Sequence, residues 1–232
     1  MPIAQNIASI QSRIAAAAAR ASRSPDSVQL MAVTKTFPGE AIAEAHAAGL
    51  RLFGENRVQE FAGKSWDVNS LPDARFHLIG KLQTNKVPRA VELFHGIDSV
   101  DSLKLAEKLN AVAGRMRKRL PILLEINIGG ERQKAGLAPD SAELEQLLAA
   151  APRLAALSLD GLMCLPPHTD DPEGARPYFR RLRELRDTLR ARHDLPLATL
   201  SMGMSHDFEV AIEEGSTCVR LGTAIFGERS QP

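Results

Sequence analysis

Eight short apolar runs, separated by longer stretches of helical periodicity, constrain this chain more than any single motif. The candidate strands cover residues 28–33, 50–53, 76–79, 94–98, 122–126, 159–165, 199–202 and 218–221. Helical patterns lie between them at 38–48, 57–66, 85–91, 102–117, 141–150, 173–192 and 207–214. Strands joined through helices run parallel, because the crossover returns the chain to the end of the sheet where it started. Eight such units within 232 residues fit a closed (β/α)8 TIM barrel, a subclass of α/β folds, better than an open doubly wound sheet. No Pro-, Gly- or Ser-rich linker and no internal repeat interrupts the pattern, so the expectation is one barrel domain over residues 1–232.

Before the first strand, Ile3, Ile7, Ile10 and Ile14 recur at spacings of four, three and four and lead into an alanine run. Residues 1–24 therefore read as a helix packed on the barrel. The absence of acidic residues before Asp26 also suits an organelle leader, but the isoleucine stripe is what a docking helix requires. Lys and Arg together number 29 against 28 for Asp and Glu, which argues against nucleic-acid or anionic-membrane partners. No apolar run approaches a membrane span. Cys164 and Cys218 sit inside apolar runs and read as reduced core residues of a cytoplasmic protein. The arginine-rich segment 173–192 carries Phe179, Leu182, Leu185 and Leu189 at helical spacing, so its arginines form a solvated face rather than an RNA-binding arm.

In a barrel of this kind, chemistry collects at the C-terminal strand ends, with a phosphate site after strands seven and eight. Strand one runs as MAVTKTF into Lys35, which either snorkels to solvent or, desolvated, attacks a carbonyl to form a Schiff base. Strand two leads through a tight turn at Gly54 to Glu55 and Asn56 at the mouth, for which helix capping is the simple alternative. His77 shares the inward side of strand three with Ile79, and a lone inward histidine is more often a satisfied core residue. Ser201, Gly203 and Ser205 follow strand seven; Gly222 and Thr223 follow strand eight. Both sets open helices, and small residues at helix starts make an anion site or, more simply, turns and caps. Arg220 lies within strand eight and needs an anionic or hydrogen-bonding partner if buried. His168 reads as a loop residue, and Lys134 extends over the mouth or is simply exposed. No HExxH, CxxC or carboxylate cluster suggests a metal. A ligand carrying both an aldehyde and a phosphate would engage the lysine and the cradle together; pyridoxal 5′-phosphate (PLP) is the common cofactor of that description.

The segments AVTKT, FGENRVQE, HLIGKLQTNK, LSMGMSHDFEVAIEEGS and VRLGTAIFG, in this order, closely resemble the pyridoxal phosphate homeostasis family, relatives of the alanine racemase barrel. The likeness spans about residues 28–227. It implies a fold-type III PLP barrel with Lys35 forming the Schiff base and Ser201, Gly203, Gly222 and Thr223 holding the phosphate. Arg220 would face the pyridine nitrogen, Asn56 and His77 would lie near the ring, and Lys134 would help move PLP on or off. Thr34 stands where the family usually has Ser, which keeps the hydroxyl. A permanently charged arginine disfavours protonation of the ring nitrogen and weakens the electron sink. Racemases of this barrel type add a tyrosine from a C-terminal β domain; the sequence ends at Pro232 and its tyrosine, Tyr178, is on the arginine-rich helix. The resemblance thus implies a non-catalytic, monomeric protein that buffers PLP or delivers it to PLP-dependent apoenzymes. Its rivals are an amino-acid racemase and a PLP-free Schiff-base aldolase.

Overall fold

A computed structural model describes residues 2–68, 70–131 and 133–227. Its strands are β1 (Gln29–Val33), β2 (Leu52–Glu55), β3 (Arg75–Leu78), β4 (Gly96–Val100), β5 (Leu120–Ile126), β6 (Leu157–Cys164), β7 (Thr199–Ser201) and β8 (Cys218–Leu221). All pair in parallel in chain order, and β8 pairs with β1 to close the barrel. The helices are α1 (Ile3–Arg20), α2 (Gly39–Ala47), α3 (Val58–Val68), α4 (Val87–Leu93), α5 (Leu103–Arg115), α6 (Ala142–Ala150), α7 (Arg176–His193), α8 (Phe208–Glu213) and α9 (Thr223–Phe226). The (β/α)8 TIM barrel with a leading helix is thus the observed architecture. No helix among the described residues is long and apolar enough to cross a membrane.

Strand alternation divides the interior into two cores. Side chains facing outward meet the helices: Phe53, Phe61, Phe76 and Phe94 form a ring cluster with centroids 4.7–5.2 Å apart between β2, β3 and α3. Met31, Leu123, Met163 and Cys218 are also buried but stand apart from that cluster, filling the barrel itself. Gly54 makes room for this inner layer, since a Cβ there would lie 2.7 Å from the Met31 sulfur. Strand two accordingly sits two residues later than its expected span of 50–53. Gly54 is a ladder residue opposite Val33 and His77 rather than a turn, which turns Glu55 outward beneath α3.

The isoleucine stripe docks α1 against α8, α9 and α2. Ile7, Ile10 and Ile14 are buried, Asn6 donates to the Ile225 carbonyl at 2.8 Å, and Arg13 reaches Glu209 at 2.5 Å. The arginines of α7 do more than face solvent. Arg176, Arg180 and Arg183 converge at 2.9–3.2 Å on Glu214, a buried carboxylate at the end of α8. Burial raises the Glu214 pKa, but Arg180 and Arg176 outweigh it and hold the group below the usual range. A carboxyl with a depressed folded pKa stabilises the fold above its unfolded value and loses that contribution as pH falls through the folded value. Glu214→Gln is therefore expected to be less stable than the parent at pH 7, with the gap closing below the ordinary carboxylate value of 4.5. Chemical denaturation across pH 3–8 checks this; a gap independent of pH would rule the ion cluster out as its cause.

Candidate functional site

A cavity of about 520 Å³ opens at the C-terminal ends of the strands. Its wall is built from strand ends that the barrel brings together from distant positions. Val33 ends β1 and Lys35 follows it, Asn56 follows β2, and Arg220, Gly222 and Thr223 come from β8 and its exit. Because β1 and β8 are neighbours, with Ala32 opposite Leu221, Lys35 and the Gly222–Thr223 turn approach the cavity side by side. Gly80, after β3, passes so close to Asn56 that a Cβ would meet its carbonyl oxygen at 2.3 Å; a side chain there would displace this wall.

The end of the cavity near β7 and β8 has the makings of an anion cradle. Ser205 and His206, from the loop after β7, line the cavity with Gly222 and Thr223. The Ala224 N–H, in the first turn of α9, donates to Ser205 Oγ at 3.4 Å and ties the two loops together. Gly203 turns that loop with φ +96°, and a Cβ would fall 2.6 Å from Ala211, so only glycine fits there. Asp207 closes the loop by accepting from the Met204 N–H at 2.7 Å.

Arg220 is buried at the cavity floor. One guanidinium nitrogen donates to Ser201 Oγ at 2.7 Å and another to the Cys164 carbonyl at 2.8 Å. Those bonds answer the need for partners that a strand arginine creates. They also engage Ser201: the resemblance implies a phosphate role for this residue, and in the structure its hydroxyl is fully buried, accepts from Arg220 and is not part of the cavity wall. The serine that reaches the cavity is Ser205. Gly203 likewise shapes the loop from outside the cavity wall.

His77 points inward as alternation requires, but from a lower layer. It lines a separate cavity of about 220 Å³ among residues from the N-terminal halves of the strands, and its Nδ1 lies 2.9 Å from Asp98 Oδ1. Its ring packs over Gly96, where a Cβ would sit 2.6 Å from Cε1. The structure therefore separates His77 from the Lys35 cavity. The Thr34 hydroxyl is similarly turned away, donating to Glu55 Oε1 at 2.5 Å on the outer face.

Sequence reasoning missed Glu125. It lines the same cavity from the end of β5, largely buried. Burial pushes its carboxyl pKa up, helped by Asp101 and opposed by Arg220 and Lys81. A single glutamate inside the apolar run LPILLEI was the available signal. Lys134 lines the cavity too, with its ammonium donating to the Pro166 carbonyl at 3.0 Å and paired with Glu131, so it bridges the loops after β5 and β6. Cys164 and Cys218 are free, and burial pushes both thiols up to about 12, which keeps them protonated and unreactive. No group of three or more metal-ligating side chains forms among the described residues.

The residues fit a small aldehyde phosphate. A lysine enters at one side, hydroxyl and backbone donors gather beside it, a cation lies at the floor, and the volume suits one small cofactor.

The comparisons with known proteins agree with this chemistry. The family model "alanine racemase, N-terminal domain" matches residues 5–230. The chain is 46% identical over 227 residues to a pyridoxal phosphate homeostasis protein of Pseudomonas aeruginosa, covering 98% of this chain and 96% of that one. It is 43% identical over 229 residues to the protein of the same name from Aquifex aeolicus, covering 99% of each. Among solved structures, PipY of Synechococcus elongatus with PLP bound superposes with a TM-score of 0.86 at 40% identity, over 97% of this chain and all of that one.

Proposed function

The chain belongs to the family of pyridoxal phosphate homeostasis proteins, and we propose that it holds PLP in the Lys35 cavity as a reversible store or delivery vehicle without catalytic turnover. The observation that carries this reading is the shared cavity of Lys35, Arg220 and the Gly222–Thr223 turn. Lys35 would hold PLP through its amine, which is the group suited to the cofactor's aldehyde. Gly222, Thr223 and Ser205 receive the phosphate through hydroxyls and backbone N–H groups. Arg220, a permanent cation lining the same cavity, would disfavour protonation of a ring nitrogen placed beside it. A ring held in that state is a weak electron sink, so bound amino acids are not driven toward carbanions. Asn56 flanks the ring, while Ser201 and Gly203 support the site from beneath. Lys134, at the mouth, offers a second amine on the route in and out, and PLP-dependent apoenzymes are the recipients.

Purified protein mixed with PLP is expected to show a visible absorbance band that borohydride bleaches, with the reduced adduct mapped by mass spectrometry to Lys35. An adduct confined to other lysines would overturn the assignment. Incubation of the loaded protein with single L-amino acids should leave their chirality unchanged; turnover at ordinary enzyme rates, on the order of 1 s⁻¹ or more, would make it a racemase instead.

A further inference from the structure

Behind Lys35, on the side away from the cavity, a second lysine holds the turn that carries it. Lys64, on α3, is only 11% exposed. Its ammonium donates to the Thr34 carbonyl at 2.8 Å and to the Phe37 carbonyl at 3.1 Å. These two carbonyls bracket Lys35, one residue before it and two after. The same ammonium pairs with Glu55 Oε1 at 2.8 Å, and that oxygen also accepts the Thr34 hydroxyl. Between the bracketed carbonyls, Thr36 takes a left-handed backbone with φ +69°, and its N–H donates to the Glu60 carboxylate, itself 3.6 Å from Lys64. A β-branched residue enters that region only under constraint. Polar groups of Thr34, Thr36 and Phe37 are thus tied to side chains of β2 and α3, which aims the Lys35 side chain. The turn also touches the anion end of the cavity, since Phe37 packs on Phe226 of α9 with ring centroids 4.7 Å apart.

We infer that Lys64 is a positioning residue for Lys35: it clamps the strand-one turn so that the Lys35 amine stays in reach of the aldehyde of a phosphate-anchored ligand, and so sets how long PLP is retained. Lys64 does not touch the ligand. A lysine suits the role because its ammonium carries three donors, and two carbonyls and a carboxylate take all three. Glu55 keeps the charge neutralised where solvent is scarce. This rests on the PLP reading of the cavity.

The test uses full-length protein loaded with PLP and two substitutions, Lys64→Met and Lys64→Arg. Lys64→Met retains the stem volume but removes the donors. It is expected to lower the visible band relative to total bound PLP and to release PLP to an excess of free amine trap at least about tenfold faster. Lys64→Arg retains the charge and several donors and should recover most of the band and slow release. Band intensity and release rate within twofold of the parent in folded Lys64→Met would overturn the inference. So would a Lys64→Arg variant that folds yet behaves like Lys64→Met. Should Lys64→Met fail to fold, Glu60→Ala decides. It removes the carboxylate that accepts the Thr36 N–H and flanks the Lys64 ammonium at 3.6 Å, and faster release with a weakened band is expected; an unchanged rate would sink the clamp. If the parent itself shows no band on Lys35, the PLP reading fails rather than the clamp.

Discussion

Lys35→Ala is expected to abolish the visible band and the borohydride-fixed adduct while leaving a weak, non-covalent affinity for PLP. The proposed phosphate end of the cavity is built from other segments: Ser205, Gly222 and Thr223 lie in the loops after β7 and β8, joined by the Ala224 N–H to Ser205 Oγ contact. Removing the amine therefore deletes one of two anchors. Retention should fall on the order of 10²-fold, equivalent to about 2.7 kcal/mol. Inorganic phosphate should compete with PLP for what remains. Equilibrium dialysis with and without phosphate, alongside absorbance spectra, measures both effects. A variant that keeps its band, or whose residual binding ignores phosphate, would mean that lysine and cradle do not serve one ligand. Thermal stability should change little, since Lys35 contributes a partly exposed side chain to the cavity rim.

The barrel was legible because most strands fall in short apolar runs bounded by helical periodicity, and alternation then told inner from outer faces. What alternation cannot give is height. His77 and Ile79 share the inward side of strand three, yet Ile79 lines the upper cavity and His77 the lower one, because strand tilt and stagger decide which layer a side chain reaches. The same limit applies to Ser201, an inward hydroxyl that lies one layer too deep and serves Arg220. Gly54 reads as a turn because glycine after a short apolar run usually is one; its place opposite Val33 and His77 depends on the bulk of Met31, a contact from a neighbouring strand that no local window contains. Glu125 hid for a related reason, since its partners across the cavity come from β3 and β8. Lys64 hid on a helix of mixed polarity, and its function follows from carbonyls 27 and 30 residues away. Lys35 and Arg220 stand out in the sequence as charges that an apolar strand does not carry without cause, whereas Thr223 is marked only by its place after strand eight.

Arg220→Gln carries the largest expected cost to the fold. The guanidinium is buried, and two of its donors are committed to Ser201 Oγ and the Cys164 carbonyl, with Glu125 close enough that the arginine lowers its pKa. Glutamine keeps donors but not the charge or the reach, so hydrogen bonds from a charged group, each contributing about 1.5–3 kcal/mol, are weakened together. A loss of about 2–3 kcal/mol should lower Tm by about 4–12 °C in a chain of this size. Without the cation the Glu125 carboxyl should titrate still higher, because burial and Asp101 would then be opposed by Lys81 alone among the groups that now lower it. The chemical consequence separates two roles for the arginine. If it governs the ring nitrogen, the loaded variant should gain slow reaction with amino acids, seen as a time-dependent change in the visible band that the parent lacks. If it serves only to fill the barrel floor, Tm falls and the band stays inert. A variant with parental Tm would show that the buried charge is not held by Ser201 and Cys164 at all, and the account of Ser201 as its support would fall with it.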